Sequence, residues 1–174
     1  SRKSLRRYIR AVNAIRSVGK PVIAMVRGYA VGGAVSLMLA SDLVCLPEDA
    51  KIIPNFCKIG LIPELGLMST LPAVVGPQKA KEILFFGERL SAADCLSLGI
   101  ANRVFPEERF REDSMAFALK AAELPALSIQ ITKGIMNSAT NAELAAVMEA
   151  ESIGSPFCAG SEEFKSMSAK FQNK

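Results

Sequence analysis

The sequence predicts an α/β fold whose C-terminal portion is helical. Two observations carry that reading. The run Pro21-Val22-Ile23-Ala24-Met25-Val26 follows an amphipathic segment and is continuously apolar, the pattern of a parallel-sheet strand buried on both faces. After residue 60 the apolar spacing becomes mainly helical, punctuated by prolines and glycines. Half of the 174 residues are hydrophobic and 22 % are charged, enough apolar content for one packed domain and too much for a disordered chain.

Taken in order, Ser4 to Val18 has helical spacing, with Leu5, Ile9, Val12 and Ile15 on one stripe and Gly19 as the stop. The strand at Pro21 to Val26 follows. Gly28 to Gly33 reads as a glycine-rich turn, and Ala34 to Ala40 as a buried helix of small and apolar residues. Asp42 to Cys45 and Lys51 to Ile53 are short strands, completing an α/β order. Pro63 and Pro77 sit where first-turn prolines belong, each opening a helix. Ser91-Ala92-Ala93-Asp94 has the form of a capping box with Asp in place of Glu, and its helix stops near Gly99. Asn102 to Phe105 is a brief strand. Four helices then follow at Pro106 to Leu124, Leu127 to Ser138, Ala142 to Ile153 and Ser161 to Phe171. With no repeat or linker, residues 1–174 form one domain, 1–105 in the core and 106–174 in a helical C-terminal region. A buried parallel strand needs neighbours, and few are available here, so further sequence is expected before Ser1.

Composition excludes several chemistries. There is no histidine, so a Ser-His-Asp triad, a Cys-His pair or a His-ligated zinc cannot be built from this chain. Proton transfer near neutral pH falls to a carboxylate, lysine, cysteine or tyrosine. Cys45, Cys57, Cys95 and Cys158 show neither a CxxC pair nor a disulfide framework, and read as reduced thiols in an intracellular protein. No apolar run is long enough to span a bilayer. Residues 1–27 hold eight basic residues and no acid, so the formal charge of +4 reflects one basic helix. No aromatic platform or nucleic-acid motif accompanies it. An acid-free, arginine-rich start also suits a transit peptide, but the apolar stripe running into a strand favours a packed helix.

Four chemistries are conceivable for the turn Gly28-Tyr29-Ala30-Val31-Gly32-Gly33-Ala34. Its glycine spacing is wrong for a dinucleotide fingerprint, it has no phosphate-loop lysine, and it lacks the GxSxG of a nucleophile elbow. An oxyanion site remains, since glycines at a helix start expose N–H groups to a ligand. Close helix–strand packing is the alternative use of the same glycines.

The run from Lys20 to Ala34 resembles the KPxIAAVxGxAxGGG signature of the crotonase (enoyl-CoA hydratase/isomerase) family. Ser41-Asp42-Leu43, Lys58-Ile59-Gly60-Leu61-Ile62-Pro63, Leu71-Pro72, Leu84 to Gly87, Leu90-Ser91-Ala92 and Leu98 to Val104 follow in that family's order. The resemblance implies a β/α superhelix, N-terminally incomplete here, followed by helices that build trimers. It also implies an acyl-CoA thioester as ligand, a homotrimer or hexamer, no nucleic acid, and no cofactor apart from the coenzyme A of the substrate. The compartment it implies is the cytoplasm in a bacterium, and the mitochondrion or peroxisome in a eukaryote. Gly33 N–H matches one of two donors to the thioester oxygen, the other belonging to the front segment. Tyr29, Gly32, Ile62, Pro63 and Leu65 fall around the substrate.

Departures from the family pattern select the reaction. The two glutamates that hold water in family hydratases fall on Ser36 and Phe56, neither of which can activate water. Glu64, in Ile62-Pro63-Glu64-Leu65-Gly66, stands where some family isomerases carry their single acid. The resemblance thus implies an enoyl-CoA Δ-isomerase with Glu64 as proton shuttle. The alternative is a non-catalytic homologue that keeps the fold and oligomerises or binds CoA thioesters. Phe157-Cys158-Ala159-Gly160-Ser161 is similar to the family's first oxyanion motif but stands near the wrong end, and is read as a loop before the last helix.

Overall fold

The computed structural model describes residues 2–172, and side chains for residues 7–170. Helix α1 (Arg2–Ser17) turns its apolar stripe inward: Val12 is fully buried, and Ile9 and Ile15 pack on the same cluster. Leu5, the remaining member of the stripe, lies outside the described side chains.

Two three-stranded sheets follow. The first has the order β1 (Ile23–Met25), β3 (Leu43–Pro47), β6 (Arg103–Phe105), all parallel, with Ile23 opposite Leu43 and Cys45 opposite Arg103. The parallel pairing of the first strand agrees with its sequence pattern, but its burial does not. All three residues of β1 are half-buried, because it is an edge strand and β3 holds the centre. In the second sheet β2 (Tyr29–Val31) runs parallel to β4 (Lys51–Ile53), and β5 (Leu90–Ser91) runs antiparallel to β4. Strand β2 lies inside the segment expected to be all turn. Gly28 (φ 71°) and Gly32 (φ 55°) bracket it, and three residues are too few to show an alternation in sequence.

Helix α2 (Gly33–Ala40) lies in the core, followed after the second sheet by α3 (Leu67–Val75), α4 (Pro77–Phe86) and α5 (Ala92–Ser97). Leu46, Ile52, Leu67, Leu71 and Cys95 are among the fully buried side chains joining sheets and helices. The capping box is present as expected, with Asp94 N donating to Ser91 Oγ and Ser91 N to Asp94 Oδ2. Pro77 opens α4, but Pro63 does not open a helix. Leu65 (φ 63°) and Gly66 (φ 79°) are both left-handed, which breaks the helical path until Leu67.

After α6 (Phe110–Ala122) comes α7 (Ala126–Gly160), one helix of 35 residues where the sequence suggested two and then a loop. Phe157 to Gly160 is thus its last turn. Ser161 links it to α8 (Glu162–Gln172), its hydroxyl accepting from Phe164 N. Pro156 and Gly154 weaken α7 locally, but its buried face of Leu144, Met148 and Glu151 packs on α1 and α3, and tertiary burial outweighs propensity. Lys133, 9 % exposed, fixes the other half of α7. Its ammonium donates to Ile15 O, Lys20 O and Asp42 Oδ2 at 2.9, 3.0 and 2.6 Å, and Asp42 Oδ2 also accepts from Val22 N. One buried cation thereby ties α7 to α1 and to the start of the first sheet.

Candidate active site

Two backbone segments meet at the N-terminal end of α2. The first is the glycine turn. Gly32 N–H donates to Ile53 O at 3.0 Å, extending the β2–β4 ladder, so that donor is already engaged. Gly33 is the first residue of α2, a position whose N–H has no partner within a helix. The second segment is the turn from Leu61 to Gly66 before α3. A Cβ placed on Gly33 would lie 3.5 Å from Leu65 Cδ1, so the two segments are in contact.

Glu64 is half-buried, and its turn is held by three side chains. Ser36, fully buried in α2, donates its hydroxyl to Glu64 O at 2.8 Å. Ser155 of α7 donates its hydroxyl to the carboxylate oxygen Oε1. Glu151, one turn earlier on α7 and 1 % exposed, accepts from Gly66 N at 2.9 Å through Oε2, while its Oε1 is buried without a partner. Burial raises the Glu151 carboxyl to about 7; the N–H groups of Gly66 and Met68 oppose the rise, and the charge of Glu64 adds to it. The turn itself is strained, since a non-glycine residue at Leu65 occupies the left-handed region. A side chain at Gly66 would displace Leu144, since a Cβ there would stand 2.3 Å from Leu144 Cδ1.

The residues read from sequence fall as follows. The Gly33 turn meets the turn bearing Glu64 through Leu65, which is buried, as is Pro63. Ile62 is half-buried, where α7 passes so closely that a Cβ on Gly154 would sit 3.0 Å from Ile62 Cδ1. Tyr29 is 65 % exposed, with the Arg89 guanidinium over its ring at 5.9 Å. Phe56 is buried, and a Cβ on Gly32 would be 3.7 Å from its ring. Glu64 is not in a helix's first turn, so the helix dipole does not account for an acid there. Ser155 and Glu151 were not found from sequence. Their only signal is a polar i, i+4 pair on a helix whose other described neighbours on that face, Leu144 and Met148, are apolar. A cavity of about 500 Å³ lined by Pro21, Ile23, Met25, Ala118, Ala122 and Ile129 opens between β1, α6 and α7, and is separate from these residues.

One parallel sheet, one mixed sheet, and a glycine turn opening a buried helix between them define a crotonase-type fold. The chain belongs to the enoyl-CoA hydratase/isomerase family, whose sequence model matches residues 3–171. It is 35 % identical to a carnitinyl-CoA dehydratase of Salmonella typhi over 121 residues, which cover 70 % of this chain and 46 % of that protein. It is 34 % identical to enoyl-CoA delta isomerase 2 of Rattus norvegicus over 140 residues, covering 80 % of this chain and 36 % of the isomerase. The aligned region thus takes in less than half of either relative. Among solved structures, an enoyl-CoA hydratase from Mycobacterium avium subsp. paratuberculosis K-10 superposes with a TM-score of 0.92 at 32 % identity, covering 97 % of this chain and 70 % of that one. An enoyl-CoA hydratase/isomerase from Pseudoalteromonas atlantica T6c does so with a TM-score of 0.87 at 29 % identity, covering 95 % and 66 %.

Proposed function

We propose that this chain carries the proton-transfer half of an enoyl-CoA isomerase, moving the double bond of a 3-enoyl-CoA to the 2-position. The observation that carries the reading is the contact between the Gly33 turn and the turn bearing Glu64. In this reaction the Glu64 carboxylate removes a proton from C2, and the electron pair passes into a dienolate whose charge rests on the thioester oxygen. Gly33 N–H donates to that oxygen. A donor fixed at a helix start needs no reorganisation as charge develops. The protonated Glu64 then returns its proton at C4, the 2,3 double bond forms, and the thioester is conjugated. Water takes no part, in keeping with Ser36 and Phe56 at the positions where family hydratases carry glutamate: the Ser36 hydroxyl is committed to Glu64 O, and Phe56 is buried.

The proposed ligand is an acyl-CoA thioester, with no cofactor beyond its own coenzyme A, and Tyr29, Gly32, Ile62, Pro63 and Leu65 around it. A homotrimer or hexamer is proposed from family resemblance. The exposure of Leu119, Leu124, Leu127, Ile131, Ile135 and Met136 on α6, α7 and the link between them supports an apolar contact face. Among the described residues no helix is long and apolar enough to cross a membrane.

The test is conversion of a 3-enoyl-CoA to its conjugated isomer, followed by absorbance, for the chain and its Glu64→Gln variant. Turnover lost in the variant with thioester binding retained supports the isomerase and its base. Equal turnover in both removes Glu64 from the mechanism. Thioester binding without turnover in either favours a non-catalytic homologue.

A further inference from the structure

The Glu64 turn has left-handed backbone at two successive residues, Leu65 and Gly66, and so depends on outside contacts to hold one shape. Two of those contacts come from one face of α7, one helical turn apart. Glu151 Oε2 accepts from Gly66 N at 2.9 Å, and the Ser155 hydroxyl donates to Glu64 Oε1. Gly154, between them, lets α7 close on Ile62, where a Cβ would be 3.0 Å from Cδ1. From the opposite side Ser36 of α2 holds Glu64 O. The backbone of the turn is therefore fixed at both ends, and among the described residues the side chain that meets the carboxylate is Ser155.

We propose that Ser155 is a positioning residue for proton transfer: anchored by Glu151, α7 presents the Ser155 hydroxyl to one carboxylate oxygen of Glu64, so that the other oxygen is aimed at the substrate carbon. This inference rests on Glu64 being the proton shuttle. A carboxylate with both oxygens free rotates about its last bond, whereas one held at Oε1 offers Oε2 in a single direction. Proton transfer between carbon and oxygen depends steeply on that alignment, and thioester binding does not.

The experiment compares wild type, Glu64→Gln, Ser155→Ala and Ser155→Thr in the isomerase assay. It also records the ¹³C carboxyl signal of Glu64, assigned by its disappearance in Glu64→Gln, at one fixed pH. Ser155→Ala is expected to lower kcat by about tenfold to a hundredfold with KM within about twofold, while Ser155→Thr keeps the hydroxyl and recovers most of the loss. The Glu64 carboxyl signal should move in Ser155→Ala and hold its place in Ser155→Thr. Wild-type kcat in Ser155→Ala, with Glu64→Gln inactive, overturns the positioning role and leaves Glu64 as the base. Full activity in Glu64→Gln overturns both. If no variant turns over, an unmoved carboxyl signal in Ser155→Ala overturns the proposal, and a moved one that Thr restores supports it.

Discussion

Glu151→Gln should flatten the dependence of folding stability on pH. The Glu151 carboxyl ionises at about 7 in the folded chain against an ordinary value of 4.5, chiefly because burial disfavours its charged form. Below pH 4.5 the group is protonated whether folded or unfolded and makes no difference. Between 4.5 and 7 the unfolded chain releases the proton while the folded chain retains it, so stability falls as pH rises. Above 7 the loss is complete. At about 1.4 kcal/mol for each pH unit of that gap, the fold gives up roughly 3 kcal/mol across the window. Glutamine keeps a carbonyl oxygen for Gly66 N but cannot ionise. It adds a buried N–H₂ with no ready acceptor, a pH-independent cost of about 1–3 kcal/mol. The prediction is therefore the change in the difference: wild type should lose about 3 kcal/mol relative to Glu151→Gln between pH 4.5 and pH 8. Urea unfolding of both proteins at half-unit pH steps would measure it. Curves that stay parallel within about 0.5 kcal/mol would refute the assignment of a buried, upward-shifted carboxyl at Glu151.

Two further outcomes follow from the same packing. Gly66→Ala should destabilise by about 2–4 kcal/mol in urea, since alanine at φ 79° is strained and its Cβ would stand 2.3 Å from Leu144 Cδ1; a loss below about 0.5 kcal/mol would mean α7 sits further from the turn. Lys133→Met should cost about 2–4 kcal/mol by leaving Ile15 O, Lys20 O and Asp42 short of a donor. Adding Asp42→Asn should recover part of that loss, and strict additivity would show that the ion pair is not coupled.

What was legible in the sequence was local, or repeated across a family. The capping box at Ser91 and Asp94, the first-turn Pro77 and the buried helix after Gly33 depend on residues three or four apart, and each is in place. Glu64 was singled out through its family position, not from any local pattern. What escaped was long-range. Glu151 and Ser155 meet Gly66 and Glu64 from 85 and 91 residues away. The length of α7 escaped for the same reason, because Gly154 and Pro156 read locally as an end while the packing that overrides them lies on α1 and α3. Strand β2 was hidden by its brevity.

The support around Glu64 also bears on how one fold can exchange one chemistry for another. An acid added to the turn after Pro63 has little value unless its direction is fixed, and Leu65 in the left-handed region costs about 1–2 kcal/mol that the turn cannot recover by itself. Ser36 supplies part of the restraint. At a position where a family hydratase places a water-holding glutamate, this chain has a short hydroxyl that donates to Glu64 O at 2.8 Å. A glutamate at 36 would remove that donor and set a second carboxylate near the first. On the proposed function the two arrangements are alternatives, since an ionised carboxylate at position 36 could not donate to Glu64 O as the Ser36 hydroxyl does. With Glu64 as the proposed proton shuttle, Ser36→Glu should lower turnover in the 3-enoyl-CoA absorbance assay without conferring hydration, since Phe56 would still leave the second position without a carboxylate.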